Sequence, residues 1–214
     1  MQPHFSRGAH DSCAFVFSCP GKHEQRAGHP AAGKTGRNLE LLLAVMSARL
    51  GHAALVRDCV TITNAWPQVE YEELTGRSEA TTLEILEATN IARLAGELQH
   101  VSHLIVFCGE KARRAAAELA KLNLLAQEAK IAFVEHLGAR GLLSIEQDLQ
   151  GNRIVAAKEQ KRLGRRIPLR KIQNENTHRR IAVVAQRLLD SMRRQGASED
   201  SNEVQLRLHP PQGS

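Results

Sequence analysis

Aromatic side chains are scarce in this sequence, making up 3% of its 214 residues. This scarcity argues against a nucleic-acid surface that stacks bases on many rings, as RNA-recognition and single-strand-binding sheets do. Long apolar runs are missing too, since none approaches the roughly 20 residues that a membrane helix needs. The first residues, Met1–Arg7, also lack the apolar stretch of a secretion signal. We therefore expect a cytoplasmic protein that makes no contact with a membrane.

Cysteines are few and scattered, and no two of them form a C-x-x-C pair. This spacing argues against both a zinc ribbon and a disulfide framework, and it suits a reducing compartment. We predict no metal site and no cofactor. The four cysteines are Cys13, Cys19, Cys59 and Cys108.

Positive charge predominates, with 29 Lys and Arg residues against 23 Asp and Glu residues, a formal net charge of +6 and a pI near 9.5. Such a balance favours a polyanionic partner, and nucleic acid is the first candidate. We expect DNA as the partner of a monomer that needs no other protein. The length suits one domain, residues 1–196, followed by a polar, Pro-containing tail, residues 197–214, that we expect to be disordered.

Short apolar runs alternate with helical patterns along the chain, which predicts an α/β fold. We expect a three-layer sandwich around a four-stranded parallel sheet. A last helix over about Thr177 to Arg194, ended by Gly196, would cover one face of the sheet. The four predicted strands are Ala14–Phe17, Val56–Ile62, Leu104–Phe107 and Ile131–Val134.

One segment, residues 150–172, stands outside this alternation and holds much of the positive charge. Between Arg153 and Lys171 there are eight basic residues and one acid, Glu159. We interpret it as a surface insertion that tracks DNA phosphates. The residues proposed for this contact are Lys161, Arg162, Arg165 and Arg166.

A long glycine-rich loop, Ser18–Leu39, follows the first strand, and loops of this length are usually functional or disordered. Within it Gly28–Thr35 spells G-x-x-x-x-G-K-T, the string of a phosphate-binding P-loop. That mechanism needs the first glycine to follow directly on a strand, whereas polar residues separate Gly28 from Phe17. A P-loop nucleotide-binding protein, or a flexible loop without a ligand, are therefore alternatives.

The whole loop supports a different interpretation, carried by the spacing of Pro20-Gly21, Glu24, Gly28, Pro30, Gly33, Gly36 and Leu39. This spacing resembles the first motif of the uracil-DNA glycosylase superfamily, especially its thermophile-type branch. Two further motifs follow in the family's order, Thr61–Asn64, which closes the second strand, and His136–Gly138, which follows the fourth. The resemblance spans roughly Ala14 to Leu143 and implies the family's fold.

The resemblance implies a monofunctional DNA glycosylase that hydrolyses the N-glycosidic bond of a flipped-out pyrimidine and leaves an abasic site. His136 would stabilise the negative charge that develops on the departing base. Asn64 would read the edge of the base, and the Pro20-Gly21 turn would let the backbone approach the nucleotide. Glu24 keeps the family's acidic position and could orient water or a ribose hydroxyl.

Two departures from the family pattern bear on the substrate. Phe17-Ser18 replaces a Gly-Glu pair, so Ser18 or a backbone carbonyl would have to hold the attacking water. Ala31 stands where the family carries a Phe that stacks on uracil, which opens space for a larger base. The cysteines also do not reproduce the iron–sulfur ligands of the thermophile-type branch.

The small Ala31 favours a bulky modified cytosine of phage DNA, and so an antiviral enzyme, as the substrate and role. Uracil repair is the alternative within the family. Outside it, a P-loop nucleotide-binding protein and an inactive DNA-binding module are retained.

Overall fold

A five-stranded sheet forms the centre of the computed structural model, which describes residues 2–51 and 55–208 and the side chains as far as residue 194. The strand order is β1-β3-β2-β4-β5, and the four longer strands are parallel while β1 pairs antiparallel with β3. The strands are β1 (Phe5–Ser6), β2 (Cys13–Phe17), β3 (Thr61–Asn64), β4 (Leu104–Cys108) and β5 (Lys130–Val134).

Strand number and one strand boundary differ from the prediction. The sheet is mixed and five-stranded, not four-stranded and parallel, because Phe5 pairs with Thr63 at the outer edge of β3. A two-residue strand has too few positions to produce an alternation that could be detected in the sequence. The predicted second strand begins only at Thr61, because Arg57–Cys59 form a single 3₁₀ turn.

The three-layer arrangement is confirmed, because both faces of the sheet carry a buried apolar layer. Every residue of β2 and β4 is buried, as expected for central parallel strands covered on both sides. Helices α2 and α9 cover one face, and α5 and α6 cover the other. The helices are α1 (Lys22–Ala27), α2 (Gly33–Leu50), α3 (Glu72–Thr75), α4 (Thr82–Ile85), α5 (Ala88–Leu98), α6 (Glu110–Lys121), α7 (Ala139–Leu143), α8 (Ala157–Arg162) and α9 (Leu169–Leu208).

The last helix is longer than the sequence predicts at both ends. It begins at Leu169, before the expected Thr177, and continues past Gly196 to Leu208. A glycine costs a helix interior only about 1 kcal/mol relative to alanine, so Gly196 does not force an end. The disorder predicted for residues 197–214 stays a prediction, because side chains beyond residue 194 and all of residues 209–214 lie outside the described part of the chain.

The basic segment, residues 150–172, contains α8 and the first turn of α9, and α8 packs on α9. Among the described residues, no helix is long and apolar enough to cross a membrane.

Candidate active site

The predicted functional residues meet at the carboxyl ends of the parallel strands, the edge at which open α/β sheets bind their ligands. Phe17 and Asn64 are paired in register at the ends of β2 and β3, and Cys108 and Val134 end β4 and β5 in the same way. His136 follows β5 by two residues. Its ring lies edge-on to the Phe17 ring, with 5.7 Å between the ring centroids. His136 is therefore brought to the end of the central strand.

A single hydrogen bond sets the protonation pattern of His136. The backbone N–H of Gly138 donates to Nδ1 of His136 at 2.9 Å. Nδ1 is then the acceptor nitrogen of a neutral ring, and Nε2 carries the proton and can donate it in a hydrogen bond. Burial lowers the pKa of His136 from its usual value, against the opposing charges of Glu79 and Glu24. The ring is thus a neutral hydrogen-bond donor at physiological pH.

Close packing of glycines holds this ring in place. A Cβ at Gly138 would come within 2.8 Å of Nδ1 of His136, and one at Gly109 within 3.0 Å of its Cβ. A Cβ at Gly141 would overlap the carbonyl of His136. Asn38 of α2 completes the support, because its amide donates to the carbonyl of Leu137 at 2.7 Å. None of these supports except Gly138 was among the residues selected from the sequence.

Asn64 is 2% exposed, and its side-chain oxygen Oδ1 has no hydrogen-bond partner among the described residues. Its backbone is clamped from behind, because Arg93 donates to the Asn64 carbonyl at 3.0 Å and Asn90 donates to the Ala65 carbonyl at 2.8 Å. A buried acceptor without a partner is costly and calls for an explanation. A donor on a bound ligand would satisfy it.

Glu24 ties together the two parts of the glycine-rich loop. Its Oε2 accepts from the N–H of Gly21 at 3.0 Å, and its Oε1 accepts from the N–H of Ala32 at 2.9 Å. The Pro20-Gly21 turn and the start of α2 are thereby held at a fixed separation. Both carboxylate oxygens accept hydrogen bonds from the backbone of the loop, which favours a supporting role for Glu24 over the orientation of water.

Ala31 is 4% exposed and has a φ of 48°, in the left-handed region that residues with a Cβ seldom occupy. Arg57 maintains this conformation by donating to the carbonyls of Pro30 at 2.5 Å and Ala31 at 3.1 Å. Backbone strain of this kind is concentrated at functional sites. Arg57 lies far along the chain from the loop, so no local pattern could have identified it.

Ser18 is buried directly after β2, and its carbonyl accepts from the N–H of Trp66 at 2.9 Å. The preceding carbonyl, of Phe17, accepts from the N–H of Ala65 at 2.7 Å. These bonds join the ends of β2 and β3. Each of the two carbonyls therefore already accepts one backbone hydrogen bond, which leaves its second lone pair for water.

A comparison with protein families gives a match over most of the chain. The sequence model described as the uracil DNA glycosylase superfamily matches residues 12–179, well over half of the chain. The chain belongs to the uracil-DNA glycosylase superfamily. Members of this superfamily are DNA glycosylases, so the chain has the general activity of a DNA glycosylase and acts on DNA. A comparison with curated proteins finds no match.

The P-loop alternative does not agree with the geometry of this glycosylase. Helix α1 lies between the end of β2 and Gly28, so Gly28 ends a helix instead of following a strand. The carbonyls of Pro30 and Ala31 are bound by Arg57, and Lys34 is exposed at the start of α2. A P-loop requires a continuous path from strand to glycine loop to helix. This fully described segment does not follow that path.

A surface cleft of about 540 Å³ lies between the ends of β4 and β5 and helix α9, lined by Gly109, Glu135 and Arg187 among others, and His136 is not part of its lining. The four residues proposed for DNA contact lie in the basic segment, outside this cleft, and all four are exposed. Arg165 is paired with Glu175 at 2.5 Å and with Gln160. Lys161 donates to the carbonyl of Ile167 at 3.3 Å. Arg162 and Arg166 have no ion-pair partner within the described part of the chain and are the freest to bind phosphate.

Proposed function

We propose that this chain is a monofunctional DNA glycosylase that hydrolyses the N-glycosidic bond of a flipped-out pyrimidine and leaves an abasic site. The observation that carries the proposal is that two polar side chains lie at the carboxyl edge of the sheet, both next to Phe17 at the end of β2. His136 offers its Nε2–H as a donor, and Asn64 offers an acceptor that has no partner among the described residues. A pyrimidine presents both an oxygen acceptor and an N–H donor at its edge, so one base can satisfy both.

The reaction breaks the bond between C1′ of the deoxyribose and the ring nitrogen of the base. The bonding electron pair leaves with the base, and the negative charge is delocalised from the ring nitrogen onto an exocyclic carbonyl oxygen of the base. Nε2–H of His136 donates to that oxygen, and this interaction strengthens as the charge develops. Water then bonds to C1′ and loses a proton. Asn64 holds the base edge while the glycine-rich loop encloses the nucleotide.

The substrate that we propose is a cytosine with a bulky 5-substituent, as in hypermodified phage DNA, which would make the enzyme antiviral. The support is Ala31, a small residue at a position where an aromatic ring would stack on uracil. A stacked aromatic side chain is worth about 1–3 kcal/mol per base. Without it, uracil should be recognised roughly ten- to a hundredfold less well unless another group fills the space. Excision of uracil for repair is the alternative.

A panel of DNA duplexes tests this function directly. Each duplex carries one uracil, cytosine, 5-hydroxymethylcytosine or glucosylated 5-hydroxymethylcytosine, and alkaline cleavage reveals abasic sites. We expect strand cleavage at the glucosylated base and release of uracil at least about tenfold more slowly. Protein carrying His136→Ala, purified in parallel, controls for contaminating glycosylases. Preference for uracil would assign the enzyme to repair, and no cleavage of any duplex would leave an inactive DNA-binding module.

The basic segment should contribute to DNA affinity without affecting base choice. Neutralising its four proposed contacts should weaken binding to all sequences alike and lower the slope of log K against log salt by about 0.9 per lost contact. Binding titrations at several salt concentrations measure this slope. A variant neutralised at the opposite edge of the sheet is the control, and an unchanged slope in the first variant would show that the segment does not contact phosphate. The control positions are Arg7, Arg49, Lys121 and Lys130.

A further inference from the structure

The segment between β3 and α4 is tied to the glycine-rich loop, because the N–H of Glu70 donates to the carbonyl of Pro20 at 2.9 Å. Arg77 donates to Glu70 at 2.5 and 2.9 Å and to Glu84 at 2.8 Å, so one guanidinium connects two carboxylates. Paired contacts of this type define the geometry of both partners. The backbone that follows Arg77 therefore starts from a rigid point.

The residues on either side of Glu79 place it next to the end of β2. The carbonyl of Ser78 accepts from the Cys19 thiol at 3.9 Å, and Ala80 is buried in the core layer that also contains Val16 and Ala65. Cys19 adjoins Ser18, the position at which the family pattern would place a carboxylate. Glu79 thus reaches the same region from a different segment of the chain.

Two carboxylates act electrostatically on the catalytic imidazole, and they differ in their availability. Burial lowers the pKa of His136, and the charges of Glu79 and Glu24 oppose that shift. Both oxygens of Glu24 are occupied by backbone N–H groups. Glu79 is exposed and forms no ion pair with any residue that the structure describes. It is the carboxylate of the two that is free to bind water.

We propose that Glu79 is the catalytic carboxylate that positions the attacking water and removes its proton. This inference rests on the proposed glycosylase function. As the C1′–N bond breaks and its electron pair leaves with the base, the water oxygen bonds to C1′ and Glu79 takes the released proton. His136 stabilises the base anion at the opposite end of the breaking bond. Glu79 returns its proton to solvent after the products leave.

The chemistry explains how the chain works without a carboxylate at position 18. Hydrolysis of the sugar–base bond requires a base that holds the water within hydrogen-bond reach, but it does not require that the base come from one strand. The Arg77 clamp supplies the rigidity that the end of β2 would otherwise provide. Exposure of Glu79 in the free protein lets water enter before DNA closes over the site.

The test compares Glu79→Gln with wild type in single-turnover excision of the best base in the panel. General-base catalysis typically contributes 10²–10⁴-fold, so we expect Glu79→Gln to slow excision by at least about 10²-fold and to bind DNA with unchanged affinity. Glu72→Gln, which removes an exposed carboxylate from α3 in the same segment, should retain the wild-type rate. Added formate should partly restore excision by Glu79→Ala, which loss of a purely structural residue would not permit.

The outcomes separate this inference from the function on which it rests. A wild type that excises no base overturns both. An active wild type with an equally active Glu79→Gln variant overturns the role of Glu79 alone, as does a loss of rate explained entirely by weaker DNA binding. Failure of formate to restore any activity to Glu79→Ala also counts against it.

Discussion

Replacement of His136 by Ala is expected to slow base excision by about 10²–10³-fold, the loss that follows removal of one preorganised donor from a site of developing negative charge. The variant should still bind DNA, because His136 acts on the base and not on the phosphates. Single-turnover rates at saturating enzyme measure the chemical step separately from binding. The rings of His136 and Phe17 meet edge-on, so thermal unfolding should be followed to show that the variant remains folded.

The matched control is His100→Ala, which removes an imidazole that contacts Thr61 near the opposite end of β3. Its excision rate should equal that of wild type. A His136→Ala rate within about threefold of wild type would refute the proposed role of the ring.

The pH dependence provides a second measurement of the same residue. Burial lowers the pKa of His136 below the usual histidine value of 6.5, so the neutral ring predominates above that pH and the rate should change little there. As the pH falls through the lowered pKa, protonation of Nδ1 breaks the bond from the Gly138 N–H and the rate should fall. The free energy of unfolding should also fall on acidification, because the unfolded chain binds this proton more readily than the folded chain does. Its stabilising contribution is present above pH 6.5 and is lost on acidification.

Much of the fold could be predicted because its strands are continuous apolar runs and its long helices have a regular apolar face. The runs ending at Phe17, Phe107 and Val134 all became strands at nearly the predicted positions. The edge strand β1 could not be predicted, since two residues carry no periodicity. The early start of α9 was also missed, because the polar residues around Asn176 conceal the buried Ile172.

The site could be predicted only where its residues belong to short sequence motifs. The sequence indicated His136, Asn64 and the glycine-rich loop because each occupies a motif. Their supports act across long separations, as Asn38 does on the Leu137 carbonyl and Arg57 on the Ala31 carbonyl. Contacts of this kind depend on the folded topology and have no signature in a single sequence.

Two buried asparagines permit a sharper test, because they are alike in burial and opposite in hydrogen bonding. Asn64 has an unpartnered Oδ1. Asn90 is satisfied: its amide donates to the carbonyls of Ala65 and Ile85 at 2.8 and 2.7 Å, and its Oδ1 accepts from Arg93. A satisfied buried amide stabilises the fold, whereas an unsatisfied one costs about 1–3 kcal/mol. The Asn64 side chain therefore lowers the stability of the fold.

Asn64→Ala is accordingly expected to lower excision by about 10²-fold, since an amide that contacts a base edge with two hydrogen bonds contributes about 1–3 kcal/mol to recognition. The same change removes an orphaned acceptor, so the melting temperature should equal or exceed that of wild type. Asn90→Ala should instead lower the free energy of unfolding by roughly 1–3 kcal/mol, because it removes the amide that donates to the carbonyls of Ala65 and Ile85 and the acceptor of Arg93. Excision assays and thermal melts of both variants measure these effects. If Asn64→Ala were destabilised as much as Asn90→Ala, Oδ1 of Asn64 would have a structural partner in solution, and its role in binding the base would lose its main support.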